Sequence, residues 1–223
     1  MIARSRYVFG WIVLTMNAAL GVAWAGSETS KVMGSIEVAA GEHTGDLSTV
    51  NGSVQVGENA VVGRAKAVNG SIELGSHASA AEVVTVNGSI DLQEGVQVSG
   101  DVRTVNGRLN LENGADVRGS LRNVNGRIRV AAAHVGGDIE TVTSSMDLGP
   151  NARVDGGILV KKETGFQESQ NPPPRVVVGP GSVIGGTLEF ERPVRLYVSD
   201  RATIGPVKGA TAVKFSGERP PED

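Results

Sequence analysis

Cysteine is absent from all 223 residues. That excludes disulfides, thiol catalysis, thiolate metal sites and lipid attachment at a processed cysteine. Aromatic residues make up only 4% of the chain, too few for the long aromatic-lined groove of a polysaccharide lyase. No His-Glu-x-x-His, no Gly-rich phosphate loop closed by Lys-Ser/Thr and no Gly-x-Ser-x-Gly occurs, so no recognised hydrolase or nucleotide-binding signature is present. Charge of one sign is also lacking: 21 Lys+Arg stand against 24 Asp+Glu, the wrong balance for a general nucleic-acid binder. Outside the first residues no apolar run is long. The alternating segments are too short for helices.

The first 25 residues stand apart. Arg4 and Arg6 open them, Tyr7 to Leu20 is uncharged and mostly apolar, and Ala23-Trp24-Ala25 has small-x-small form. This is the grammar of an export signal, with the mature chain starting at Gly26. The run is also about long enough for one membrane span, the alternative if no cleavage occurs. The arginines are not adjacent, which argues against a twin-arginine route. Removing the segment takes Lys+Arg from 21 to 19 against 24 Asp+Glu, a net −5. A short leader, 26–30, follows.

What the chain has instead is a repeat. Val50-Asn51-Gly52 returns at Val68, Val86, Val105 and Val124, with glycines 18, 18, 19 and 19 residues apart. Degraded copies flank the series at Val32-Met33-Gly34 and Val142-Thr143-Ser144. A fixed short period marks one turn of a coil that buries its apolar face against its neighbours. Within a turn, polar and apolar residues alternate over short segments broken by Gly-containing corners, which is strand grammar. Three aliphatic columns follow. Ile72/Leu74, Ile90/Leu92, Leu109/Leu111 and Ile128/Val130 belong to the first. Ala78/Ala80, Val96/Val98 and Ala115/Val117 belong to the second, and Val83, Val102, Leu121 and Ile139 to the third. The prediction is an all-β, single-stranded parallel β-helix (β-solenoid) of about 18–19 residues per turn and eight to nine turns. A meander of Asn-Gly hairpins is the competing reading, but successive units map onto one another without mirror pairing. The Asn-Gly corner is expected to need positive φ, and stacked asparagines are expected to bond one another.

The solenoid domain is expected over 31–216. A polar, Pro-rich loop at 163–174 interrupts it, and the frame resumes at Val176 and Val178. Phe190, Tyr197 and Phe215 are expected to cap the carboxy-terminal end, followed by a disordered tail at 217–223.

Candidate chemistry is sparse. His43, His77 and His134 are far apart in sequence and read as solvated corner residues. Asn-Gly-Ser at Asn51, Asn69 and Asn87 formally satisfies a glycosylation triplet but reads as a corner motif. One outward column runs Glu37, Gln55, Glu73, Asp91, Asn110, Arg129, Asp147. Its acids are diluted by neutral and basic members, so it reads as a solvated face rather than a Ca²⁺ site, which wants six to eight oxygens. Arg103, Arg108, Arg118, Arg122, Arg127 and Arg129 crowd two successive turns. Arg forks suit carboxylates and phosphates, so these six are the candidate site for an anionic polymer such as lipopolysaccharide or an acidic glycan. The other reading is like charge that discourages sideways sheet pairing. No catalytic residue, metal site or cofactor is predicted.

The unit Val-Asn-Gly-[Ser/Arg]-Ile-x-Leu, followed by Ala-x-Val-x-Gly-[Asp/Ser]-Val, resembles the bactofilins. Gly100-Asp101-Val102, Gly119-Ser120-Leu121 and Gly137-Asp138-Ile139 carry the likeness, which spans about Lys31 to Leu188. The resemblance implies a β-helical core and end-to-end self-assembly near the envelope. Bactofilins work in the cytoplasm, whereas this chain reads as exported. The six-residue spacing of Val50, Val56, Val62, Val68 and Leu74 also resembles the hexapeptide-repeat acyltransferases, but the 19-residue turns break that register and no His sits in a recognisable signature. The expectation is a non-enzymatic scaffold of the bacterial envelope, in the periplasm or at the cell surface, with a glycan- or surface-binding module as the alternative. Its expected partners are copies of itself or an anionic envelope polysaccharide.

Overall fold

A computed structural model of the protein describes residues 28–162 and 172–221. The expected export signal therefore lies outside the described residues, as does most of the Pro-rich loop. The described chain is a parallel β-solenoid of about ten turns, close to the eight to nine expected, and every strand pairing is parallel, with the turn before or after.

Three walls form the tube. The first runs through Leu47–Asn51, Ile139–Thr141, Ile158–Val160 and Leu188–Phe190. The second runs through Val54–Val56, Ile72–Leu74, Ile90–Leu92 and Arg175–Val178, and the third through short pairs such as Gln97–Val98, Asp116–Val117 and His134–Val135. In the middle turns the first and second walls merge into single bent strands, Val102–Leu111 and Leu121–Val130. Ile72, Ile90, Leu109, Ile128 and Met146 lie one above another in register, and all are buried. Like packs on like at the spacing of hydrogen-bonded strands, about 4.8 Å. All three aliphatic columns read from the sequence lie inside.

The corner between the first and second walls is Val-Asn-Gly, and its glycine is there for a different reason than expected. Of the five glycines, only Gly52 (φ 158°) and Gly126 (φ 135°) have positive φ. What they share is closeness to the turn below. A Cβ on Gly70, Gly88, Gly107 or Gly126 would collide with the carbonyl oxygen of the glycine one turn earlier. Left-handed backbone is used at the next corner instead, by Gly41, Asn59, His77, Gly95, Gly114 and Asn151, with φ between 57° and 73°. Glycine and Asn take that conformation at least cost.

The last turns pack Ile204, Val207, Ala210 and Ala212, all partly buried, onto the core. Exposed Lys214 stands in register with buried Val198. The three aromatics expected to cover this end are placed differently. Phe190 is inside the tube beside Val160. Tyr197 and Phe215 bury one another with Val177 in a separate cluster. Beyond Phe215 the chain runs back along the second wall. Glu218 pairs with Arg201 at 3.3 Å and the Pro221 carbonyl accepts from Arg175 at 3.2 Å.

Candidate functional site

The Val-Asn-Gly corner builds a ridge along the tube. Its asparagines form the expected ladder: the amide of Asn69 donates to Asn51, Asn87 to Asn69 and Asn106 to Asn87, each at 3.0 Å. Beneath it lies a buried polar column that the apolar reading missed. Thr85 and Thr104 donate their hydroxyls to the carbonyls of Gly70 and Gly88 at 2.8 and 3.0 Å. Thr49 does the same for Gly34, Asn123 donates its side-chain amide to the carbonyl of Gly107, and between Thr49 and Thr85 the column holds buried Ala67. A buried carbonyl at a corner needs a donor, and a hydroxyl beneath it supplies one. The valines of the motif face outward. Val50, Val68, Val86, Val105 and Val124 are each about 40% exposed and make an apolar row beside the asparagines.

The corner between the third and first walls carries the Gly-[Asp/Ser] residues. Each caps the next turn: Asp101 accepts from the Ser120 amide at 2.9 Å, Ser120 from the Asp138 amide at 3.2 Å and Asp138 from the Gly157 amide at 2.7 Å. The Ser120 amide, followed by the Arg103 guanidinium, holds the Asp101 carboxyl below its ordinary range. At the same corner, Asp46 is lowered by the Arg64 side chain and amide.

The six candidate arginines fall on different surfaces. Arg103 and Arg122 lie outward on the first wall among carboxylates. Arg103 pairs with Asp101 and reaches Glu82 at 3.9 Å. Arg122 reaches Asp101 at 3.7 Å and Glu140 at 3.6 Å. Arg118 is by the third wall, 4.0 Å from Asp116. Arg108, Arg127 and Arg129 come together on the second wall, where Arg108 is in register with Arg127 and Asn110 with Arg129. Arg129 reaches Glu112 at 3.7 Å. Among the described residues, Arg108 and Arg127 have no ion pair within 4.0 Å. Arg175 and Arg195 continue the Arg108–Arg127 row beyond Ser145, an extension hidden in the sequence by the loop at 163–174.

The mixed column on the second wall is as read from the sequence: Glu37, Gln55, Glu73, Asp91, Asn110, Arg129 and Asp147 stack in that order. Burial raises the Asp91 carboxyl above its ordinary value, with Glu73 and Glu112 adding to this and Arg108 and Asn110 opposing it. Farther along, a groove of about 790 Å³ opens between this wall and the returning tail, where Arg129, Asp147, Arg175 and Glu218 line it. Arg175 also lies 5.0 Å over the Tyr197 ring.

The histidines do not converge. His43 makes an isolated bridge with Val61, and His77 occupies the left-handed corner. His134 is held on the third wall between two turns: Nδ1 is 2.6 Å from Asp116 and Nε2 2.9 Å from Asp155. Bonds to Asp155 and then Asp116 raise its pKa above the ordinary 6.5. The two carboxylates sit on opposite ring nitrogens, so they clamp the imidazole rather than share a metal with it. Among the described residues no group of three His, Asp or Glu is placed to hold a metal ion. No protein-family model, curated protein or solved structure matches the chain.

Proposed function

We propose that this chain is a non-enzymatic scaffold of the bacterial envelope, exported by its first 25 residues and assembling end to end. The observation that carries the reading is the pair of ends. At the amino-terminal end, Thr29–Met33 and Ile36–Val38 each pair with one neighbour among the described residues, and Val32 and Met33 are 70% and 80% exposed. At the other end, Thr203–Ile204, Val207–Lys208 and Ala212–Phe215 likewise pair on one side, over partly buried Ile204, Val207 and Ala212. Unpaired strand edges over apolar stack invite another copy. The resemblance to bactofilins points the same way. Electron microscopy of the purified protein tests it: filaments about one coil wide are expected, and Met33→Lys should disperse them. Monodisperse single coils at high concentration would reject the reading.

A second reading rests on Arg108 and Arg127, stacked in register and without ion pairs among the described residues. Such a row suits an acidic glycan. Substituting Arg108, Arg127 and Arg129 with Ser should then abolish retention on an anionic glycan, and unchanged retention rejects the idea.

A further inference from the structure

The second wall is divided along its length by charge. Its amino-terminal half presents Glu73 and Asp91 outward, with uncharged Ser53, Ser71 and Ser89 in the neighbouring row. Its carboxy-terminal half presents Arg108, Arg127 and Arg129 in the same two rows. The boundary falls between Asp91 and Asn110, which are in register on adjacent turns.

We propose that two copies of this chain pair side by side and antiparallel through this wall. A two-fold axis lying in the contact plane, across the tube at that boundary, sets each row against its own reverse. Asp91 then faces Asn110 of the second copy with Arg108 beside it. Glu73 faces Arg129 with Arg127 beside it, and Gln55 faces Asp147. No like charges meet. Shifting the axis by half a turn in one direction sets Asp91 against Asp91, and in the other sets Arg108 against Arg108 and Glu73 against Asp147. One register is therefore selected, which is what complementary charge does best. The geometry is isologous, as closed dimers require.

The contact is small. Six turns at about 4.8 Å, on strands of three or four residues, give a strip about 29 Å long and about 10 Å wide. That is on the order of 300 Å² per copy, below the ~800 Å² of a standard interface. The dimer is accordingly weak and depends on salt, because its exposed charges are screened over about 8 Å at physiological ionic strength.

Sedimentation equilibrium of the purified protein, in the Met33→Lys background to block the ends, tests this. The dissociation constant should rise at least about tenfold between about 0.02 M and about 0.5 M salt. Reversing one half, with Glu73→Lys and Asp91→Lys or with Arg108→Glu, Arg127→Glu and Arg129→Glu, should weaken self-association about 100-fold. Mixing those two variants, or combining all five substitutions in one chain, should restore it. Absence of association at low salt, association indifferent to either half-reversal, or failure of both rescues would overturn the proposal. Filaments lost on Met33→Lys while the charge reversals change nothing would support the end-to-end reading and reject this one.

Discussion

The turns from Leu47 to Val130 and those from Ile158 to Phe215 are the same coil built to two rules. In the first region each corner is Val-Asn-Gly, the asparagines form a ladder, and the inner column beside the corner is polar at Thr49, Thr85, Thr104 and Asn123, with Ala67 the one apolar member. In the second region the corner motif is gone, replaced by the Pro-rich excursion and by Glu191-Arg192-Pro193. There the same inner column is apolar, Thr141 giving way to Val160 and Phe190. The corner glycine and a buried side-chain donor thus come together at four of the five corners, Ala67 being the exception. The glycine lets successive corners approach within hydrogen-bonding distance, and the donor satisfies the carbonyl left inside. Where the corner opens out, a hydroxyl has no such acceptor and a hydrocarbon packs better.

The largest test of that contrast is Gly107→Ala. Its Cβ meets the Gly88 carbonyl, so the corner must shift. A loss of about 3 kcal/mol is expected by chemical denaturation, against less than about 1 kcal/mol for exposed Glu191→Ala in the second region. Equal losses would mean that the close approach is not what the glycine is for. Next is Thr104→Val, which keeps the shape but leaves the Gly88 carbonyl without its donor. A cost of about 1–2 kcal/mol is expected. The reverse change, Val160→Thr, should be destabilising too, since it buries a hydroxyl among hydrocarbon. A neutral Val160→Thr would break the comparison.

The smallest effect lies at the seam between the regions. His134 ties the turn of Asp116 to that of Asp155. Its folded pKa is raised, so its stabilisation is fully present below the ordinary value of 6.5 and fades as pH rises through the raised value. Asp155 is lowered mainly by His134. Its share is present above the ordinary carboxylate value and fades as pH falls through the lowered one. Melting temperature should therefore decline from mildly acidic toward alkaline pH in the wild type, and His134→Gln should flatten that slope. An unchanged slope in His134→Gln would assign it to other groups.

Much of the coil was legible because a stack of identical turns repeats its burial pattern in the sequence. The positions of Ile72, Ile90, Leu109 and Ile128 required only counting by 18 and 19. The polar column was not legible, because Thr49, Thr85 and Thr104 stand two residues after Leu47, Val83 and Val102, at inward places where an alternating string is expected to be apolar. Nor was the outward valine row, since valine is ordinarily a core residue. The arginine cluster misled in part. Six arginines close in sequence wrap around a tube of three walls, so Arg118 and the Arg103–Arg122 pair separate from Arg108, Arg127 and Arg129.

Periodicity alone fixed the parallel coil, its inward columns and its asparagine ladder, since a repeating register leaves one way to bury every aliphatic row. Only the folded molecule decided why glycine occupies the corner, which hydroxyls lie inside, which arginines share a surface and where the aromatics go. Those depend on distances between neighbouring turns and on the direction each wall faces, and neither is written in the order of residues along one turn.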